Sequence, residues 1–509
     1  MSVRHYDWLA YHAGRTPGKL ALVDLESGRR FTYGEFNARA GRLAHFLASG
    51  LGLCRGDRVG ILARNSSDLF EMQFACAKLG AIFAPFNWRL TAAELEYIIG
   101  DVDPKVVFHG PEFAEVLRDL GKSLGVEHLV ETSGLGGASP YEDAISGTGE
   151  EAAPAEVTHD DIWTILYTSG TTGRPKGAMQ TYGTIFYNAI NVAQTTGITS
   201  ASVTLVVLPL FSTGGLNLYA NPTFHAGGTV LVMRQFEAGA VLSALGGAGP
   251  GVTHFLGVPA TYLFMSQHAD FARTDFSRFE FCSVGGAPAP VALLDTFARQ
   301  GLDIVQNFGM TEAGPWTMQQ NADGARVKPG SIGKPAMHVE VRLVDPQGRD
   351  VAPGDIGELW FKGPIVIPGY WRRPDANAKS FADGWLRSGD AARVDADGDY
   401  YIMDRWKDMF ISGGDNVYPA EVENAISAHA AVLEAAVIGR PDERWGEVGH
   451  AIVRLKDGRS ASAEEIIGSC GESLARYKIP KSIEFVEAPL PRTSSGKLLK
   501  RTLREERNI

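Results

Sequence analysis

Apolar and polar positions along the first two-thirds of the chain switch between a helical period and short unbroken apolar runs. Phe31–Ala48 (FTYGEFNARAGRLAHFLA) has apolar residues at three- and four-residue spacing, which predicts an amphipathic helix. Asp57–Leu62 (DRVGIL) predicts a short buried strand and Leu69–Leu79 a helix. Phe83–Pro85 and Lys105–His109 predict further extended pieces. Strand and helix signals in turn point to a multidomain α/β fold, its subdomains layered around largely parallel sheet. Ser133–Glu156 interrupts the pattern with Gly, Ser, Ala and acids, and reads as a surface linker. A smaller α+β unit follows, with helical patterns at Ala420–Ser427 and Glu464–Ala475 and strand patterns at Ala435–Ile438 and Ile483–Val486. The boundary falls where the strand Tyr400–Met403 gives way to a Gly-rich loop, which predicts domains over 1–406 and 407–509.

Length and composition narrow the class. At ~100–200 residues per domain, 509 residues call for more than one domain. A chain 44% hydrophobic and 21% charged is neither disordered nor fibrous. With 48 Lys plus Arg against 59 Asp plus Glu, the net charge of −11 argues against broad nucleic-acid or anionic-membrane binding. The four cysteines, Cys54, Cys76, Cys282 and Cys470, form no CxxC pair and fit a reducing compartment. The start has no signal-like apolar stretch, and Val203–Phe211 falls short of the ~20 residues that span a bilayer. The expectation is a cytoplasmic protein without a transmembrane segment. Oligomeric state leaves no sequence signal; a homodimer is the default because dimers are the commonest soluble oligomer.

The strongest local string is Tyr167–Gly177 (YTSGTTGRPKG), entered from a strand-like run, Ile162–Tyr167. Glycines permit close backbone approach, hydroxyls donate to phosphate oxygens and Lys176 supplies a positive charge. The loop suits a polyphosphate. It is not a Walker loop, because Gly173 is followed by Arg174 and not by Lys and a hydroxyl residue. Four more strings follow: Gly285–Pro288 (GGAP), Gln306–Glu312 (QNFGMTE), Ser388–Asp390 (SGD) and Asp404–Glu423, which contains DRWKD and GlyGly. Pro491–Arg501 (PRTSSGKLLKR) closes the chain. Taken singly, GGAP and SGD are turn signals and the terminal string is a basic tail.

In this order the strings resemble the AMP-forming adenylating superfamily of acyl-CoA synthetases, peptide-synthetase adenylation domains and luciferases, over nearly the whole chain. The resemblance implies an acid–thiol ligase using ATP, Mg²⁺ and CoA, with a mobile C-terminal domain. It implies that Thr168, Ser169, Gly170, Thr171, Thr172 and Lys176 cradle phosphates, and that Gly285, Gly286, Ala287 and Pro288 border the adenine. Asn307, Phe308, Gly309 and Met310 belong to the next nucleotide segment, with Phe308 on the adenine. Thr311 would donate to the α-phosphate, and Glu312, with Thr168, would hold the metal, as a hard cation prefers oxygen ligands. Asp390 would accept from both ribose hydroxyls, with Arg405 beside it. Lys407 would be the hinge, and Gly413 and Gly414 would line the thiol channel. Lys497 would bridge the substrate carboxylate and the α-phosphate. Trp445 and Tyr477 look like residues that stack on the CoA adenine, and Arg89 is a candidate phosphate contact.

The acid is read from Pro209–Gly215 (PLFSTGG), where amino-acid-activating members carry an acidic residue and this chain has none. An unpaired buried ammonium is costly, so amino acids are disfavoured. Ser212 stands where many acyl and aryl members have His. This predicts a pocket widened for a bulky, aromatic, cyclic or fatty acid, walled by Phe211, Ser212, Gly214, Gly285 and Ala313, with Trp163, Tyr219, His254 and Trp316 as further candidates. Two alternatives stand beside this reading. One is a ligase that hands its acyl group to a carrier protein, and the other is a nucleotide-binding module without turnover.

Overall fold

The computed structural model describes residues 2–146, 155–168, 174–246, 251–406, 408–471, 473–493 and 497–509. Two large sheets dominate residues up to Pro335. One has six strands in the order His128–Glu131, Val106–His109, Arg58–Leu62, Ile82–Pro85, Ile162–Thr168, Lys176–Thr181. All its pairings are parallel except the last, an antiparallel hairpin in which Thr168 faces Lys176. The polyphosphate string therefore begins on one of these two strands and ends on the other.

The other sheet has nine strands. Its centre runs parallel from Leu20–Asp24 through Thr229–Val232, Val203–Val206, His254–Gly257 and Phe281–Val284 to Val305–Met310. An antiparallel hairpin, Val305–Met310 to Gly314–Gln319, closes one side. The helix Ser67–Leu79 lies in the core that both sheets share and is buried on nearly all faces. Its Phe70 and Phe74 meet Phe224 edge to face. Its buried acids are paired, Asp68 with Arg29 at 2.6 Å and Glu71 with Arg39 at 2.9 Å. Unpaired, they would be strongly destabilising.

The Gly- and Ser-rich stretch is not a linker throughout. Pro140–Ser146 is a helix with Tyr141 and Ile145 fully buried. Tyr141 donates to Glu71 at 2.6 Å, and Glu142 receives both Arg29 and Arg39. Two apolar anchors and one carboxylate were enough to dock a segment whose average composition is that of a loop.

A third, antiparallel sheet follows, with Glu340–Val344, Gly357–Lys362, Trp385–Val394 and Phe381–Ala382 in order and Tyr400–Arg405 paired to Trp385–Val394. The C-terminal residues build a sheet of their own around the long hairpin Val432–Asp442 and Gly446–Leu455, with Ser482–Phe485 parallel to its second strand. The helices Pro419–Ser427 and Ala463–Cys470 cover one face with Val422, Ile426 and Ile466. The second helix stops at Cys470, short of the Ala475 that periodicity predicts. A large N-terminal α/β domain is thus followed by a small α+β one. Among the described residues, no helix is long and apolar enough to cross a membrane.

Candidate active site

The turn between Val305–Met310 and Gly314–Gln319 carries Thr311, Glu312 and Ala313. It is tight. A Cβ on Gly309 would lie 2.1 Å from the Pro315 carbonyl oxygen, so this position requires glycine. Glu312 is buried, and its Oε1 accepts from the Thr168 hydroxyl at 3.2 Å and from the Tyr370 hydroxyl at 2.9 Å. Lys176 places its Nζ 4.4 Å from the centre of the Tyr370 ring. Gln180, on the same strand as Lys176, donates to the Thr311 carbonyl at 3.2 Å and to the Thr213 hydroxyl at 3.3 Å. Asn217 donates in turn to the Gln180 side-chain oxygen. The phosphate hairpin and the Thr311–Glu312 turn, from two different sheets, are therefore bonded to each other. Ser169, Gly170, Thr171 and Thr172 lie outside the described residues, as does Lys407.

The adenine-side candidates form one group. Gly285 abuts Asn307, because an added Cβ would sit 2.6 Å from its Oδ1. That oxygen is buried and has no hydrogen-bond partner among the described residues, while Nδ2 donates to the Pro315 carbonyl. Gly286 has φ +81°, a conformation that favours glycine, and Ala287 and Pro288 follow it at the surface end of the loop. Phe308 stacks on Phe361, with centroids 5.8 Å apart and planes at 24°. Met310 packs against the same apolar cluster.

Asp390 and Arg405 face each other across two antiparallel strands, with 2.6 Å between Oδ1 and Nε. The other carboxylate oxygen, Oδ2, is buried without a hydrogen-bond partner among the described residues. Burial pushes the Asp390 carboxyl up, against the pull of Arg405 and Lys497, and Asp390 in turn holds the Arg405 guanidinium charged. An orphaned carboxylate oxygen is costly in the protein alone and matches a hydroxyl donor from a ligand.

Lys497 reaches this group from the C-terminal unit. Its loop is closed by the Thr493 amide on the Lys497 carbonyl at 2.6 Å and by the Lys497 amide on the Thr493 hydroxyl at 3.0 Å. Burial lowers the Lys497 ammonium, with Arg405 acting in the same direction and Asp390 and Glu312 opposing. One cleft thus gathers Thr168, Lys176, Thr311, Glu312, Asp390, Arg405 and Lys497. It offers hydroxyl, carboxylate and ammonium groups, a donor set suited to a nucleotide triphosphate with a hard cation.

Other candidates lie elsewhere. Gly413 and Gly414 form an exposed turn with φ +64° and +94°. Trp445 lies against it, 2.9 Å from where a Gly413 Cβ would be. Trp445 is 41% exposed and Tyr477 38%. Among the described residues, no contact links these four to Glu312, Asp390 or Lys497. Arg89 stacks on Trp88. Ser212 turns its hydroxyl back to the Pro209 carbonyl at 2.7 Å, beside the buried Phe211. Gly214 follows at the start of a π-helical segment, Gly214–Ala220. Tyr219, Trp316 and Ala313 share one apolar cluster, in which Trp316 donates to the Thr195 hydroxyl at 2.8 Å. His254 borders it, bonded to the Thr196 carbonyl. Trp163 is a correction: it stacks on Tyr182 and donates to the Gln73 carbonyl inside the core around the N-terminal helix, away from that cluster.

A family model described as "AMP-binding enzyme" matches residues 9–371, and one described as "AMP-binding enzyme C-terminal domain" matches residues 421–497. The chain belongs to the AMP-binding enzyme family, as an AMP-forming acyl-CoA synthetase. The synthetase is 40% identical over 499 residues to a feruloyl-CoA synthase of Amycolatopsis sp, covering 98% of both chains. It is 38% identical over 513 residues to the long-chain-fatty-acid–CoA ligase FadD13 of Mycobacterium tuberculosis, covering 99% of both. It is 35% identical over 506 residues to the fatty acid–[acyl-carrier-protein] ligase ScoC of Streptomyces coeruleorubidus, covering 97% of this chain and 95% of that one. Among solved structures it resembles ATP-bound MatB from Rhodopseudomonas palustris at TM-score 0.90 and 31% identity, covering 98% of each. Apo MatB gives 0.81 at 32% identity and the same coverage. The synthetase uses ATP, Mg²⁺ and CoA to convert a carboxylic acid to its acyl-adenylate and then to its acyl-CoA.

Proposed function

We propose that the acid is bulky, aromatic, cyclic or fatty, and that one cleft serves both half-reactions through movement of residues 407–509 relative to 1–406. The observation that carries this reading is Lys497, which enters from the small domain beside Arg405, Asp390 and Glu312. That arrangement suits adenylation. The acid's carboxylate attacks the α-phosphorus of ATP, the bond to the β-phosphate breaks, and pyrophosphate leaves. Two anions must meet, and Lys497 and the Thr311 hydroxyl supply donors where negative charge grows. Asp390 takes the ribose hydroxyls, with its free Oδ2 ready for one of them. Phe308 and the Gly285–Pro288 loop take the base. Thr168 and Glu312 would hold Mg²⁺, which neutralises phosphate oxygens when bound.

For thioester formation the small domain turns about Lys407, withdraws Lys497 and presents Gly413–Gly414. Trp445 and Tyr477, exposed in the present arrangement, stack on the CoA adenine. The similarity to an acyl-carrier-protein ligase keeps a carrier acceptor as the second reading. The two exposed aromatics favour CoA. A cytoplasmic location accords with ATP and CoA as substrates and with four cysteines that form no disulfide.

The test is mass spectrometry of the protein with ATP, Mg²⁺ and acids from acetate through fatty acids and cinnamates to polycyclic acids, with and without CoA. Acyl-CoA should form with a bulky or long-chain acid. Turnover confined to acetate-sized acids would overturn the substrate reading. An acyl-adenylate that accumulates in the presence of CoA would point to a carrier.

A further inference from the structure

The segment Ile365–Trp371 bridges the two halves of the cleft. The Ile367 amide donates to the Glu312 carbonyl at 2.9 Å. Two residues on, the Gly369 carbonyl accepts from the Met179 amide at 3.1 Å, and the Trp371 amide donates to the Gly177 carbonyl at 2.8 Å. The segment thus binds the metal-side turn at one end and the strand behind the phosphate loop at the other. Tyr370 lies between these anchors and is 5% exposed. Its amide donates to Asn377 Oδ1 at 2.7 Å, and Asn377 Nδ2 donates back to its carbonyl, which fixes the backbone.

Both ends of this side chain touch the site. The hydroxyl donates to Glu312 Oε1, the same oxygen that accepts from Thr168. Two donors on Oε1 set the rotation of the carboxylate and direct Oε2 away from them. The ring carries the Lys176 ammonium on its face at 4.4 Å, where a cation–π contact restrains a long, flexible side chain. No other described side chain contacts both Glu312 and Lys176 in these ways.

We propose that Tyr370 is a positioning residue for adenylation: its hydroxyl fixes the Glu312 carboxylate for the metal, and its ring restrains the Lys176 ammonium at the start of its strand. The proposal rests on the reading of Glu312 as a metal ligand. Partners behind a ligand commonly change metal affinity 10–100-fold when removed, because the ligand then has to be ordered on binding.

The test is the affinity for Mn²⁺, measured by electron paramagnetic resonance with α,β-methylene-ATP bound, alongside the melting temperature. Tyr370→Phe keeps the ring and loses the hydroxyl. It should weaken Mn²⁺ about tenfold while the melting temperature stays within a few degrees. Asn377→Ala leaves the hydroxyl but loosens its backbone and should weaken Mn²⁺ measurably, by less than loss of the hydroxyl itself. Glu312→Gln should weaken it more than either. Wild-type Mn²⁺ affinity in Tyr370→Phe and Asn377→Ala, with Glu312→Gln impaired, overturns the role of Tyr370 alone. Wild-type affinity in Glu312→Gln overturns the reading of Glu312 beneath it.

Discussion

Among the described residues, the ammonium of Lys497 shares its surroundings with the guanidinium of Arg405 and the carboxylates of Asp390 and Glu312. Removing it leaves Asp390, Arg405 and Glu312 in place but takes away the donor proposed for the charge that develops during adenylation. Lys497→Ala should therefore slow acid-dependent ATP–pyrophosphate exchange by about 10²–10³. Thioester formation from supplied acyl-adenylate should fall far less; equal losses in both steps would contradict the assignment. Ser212 belongs to the same scale. Its hydroxyl is used by its own turn, accepting from the Gly215 amide and donating to the Pro209 carbonyl, so the side chain takes little space. Ser212→His should shift preference toward linear acids by about tenfold, the worth of modest steric changes in an apolar pocket. An unchanged ratio of bulky to linear acids would rule out this residue as the cause. Lys497, Glu312 and Asp390 were legible as candidates because the strings that hold them, taken in order, resemble those of the adenylating superfamily; singly, SGD is a turn signal and the string around Lys497 a basic tail. Tyr370 and Gln180 were not, because their roles depend on contacts with residues 58 and 131 positions away.

At the scale of elements, short apolar runs and helical periods located the inner strands of the six-stranded sheet and the helix Ser67–Leu79 to within a few residues. Composition misread Pro140–Ser146, where Tyr141 and Glu142 act through the buried Glu71, Arg29 and Arg39. The same limit applies to the N-terminal segment, which pairs with the chain just before the strand Ile162–Thr168. The His5 amide donates to the Val157 carbonyl, and the His159 amide to that of Val3. The His5 ring lies 4.5 Å from Tyr182 and 5.6 Å from Trp8. Burial, then neighbouring His159, lowers His5 to about 4 from an ordinary 6.5. The folded state thus refuses a proton that the unfolded chain accepts. This contribution to stability is complete above pH 6.5 and is lost as pH falls toward 4, on the order of 1–2 kcal/mol by pH 5. His5→Phe keeps an aromatic ring without the titration. Urea unfolding at pH 7 and pH 5 should show a smaller difference for the variant than for the parent chain. An identical difference in both would remove His5 from the acid sensitivity.

For the whole molecule, the question is what holds the small domain in the arrangement that delivers Lys497. Asp404, on the last strand of the third sheet, accepts from the Ala420 amide at the start of the helix Pro419–Ser427 and from Lys500 at 3.4 Å. Lys500 pairs also with Glu423 at 2.9 Å, and Arg504 with Asp408 at 2.9 Å. These bonds stand on either side of Lys407. A turn about that residue has to break those spanning it while leaving each domain's own sheet whole. The rotation proposed above would then concentrate in a few backbone dihedrals, and proline, which fixes φ near −65°, is the substitution that restricts them most directly. Lys407→Pro should retain adenylation within about tenfold and lose thioester formation by a factor of about 10² or more, because hinge restriction blocks a conformational step and leaves the first-step chemistry in place. Single-turnover assays that separate acyl-adenylate appearance from its consumption by CoA measure both. Wild-type rates in both steps would place the hinge elsewhere or dispense with rotation. Loss of adenylation alone would mean that the Lys407 side chain acts in the first step, and the division of labour between the two arrangements would have to be redrawn.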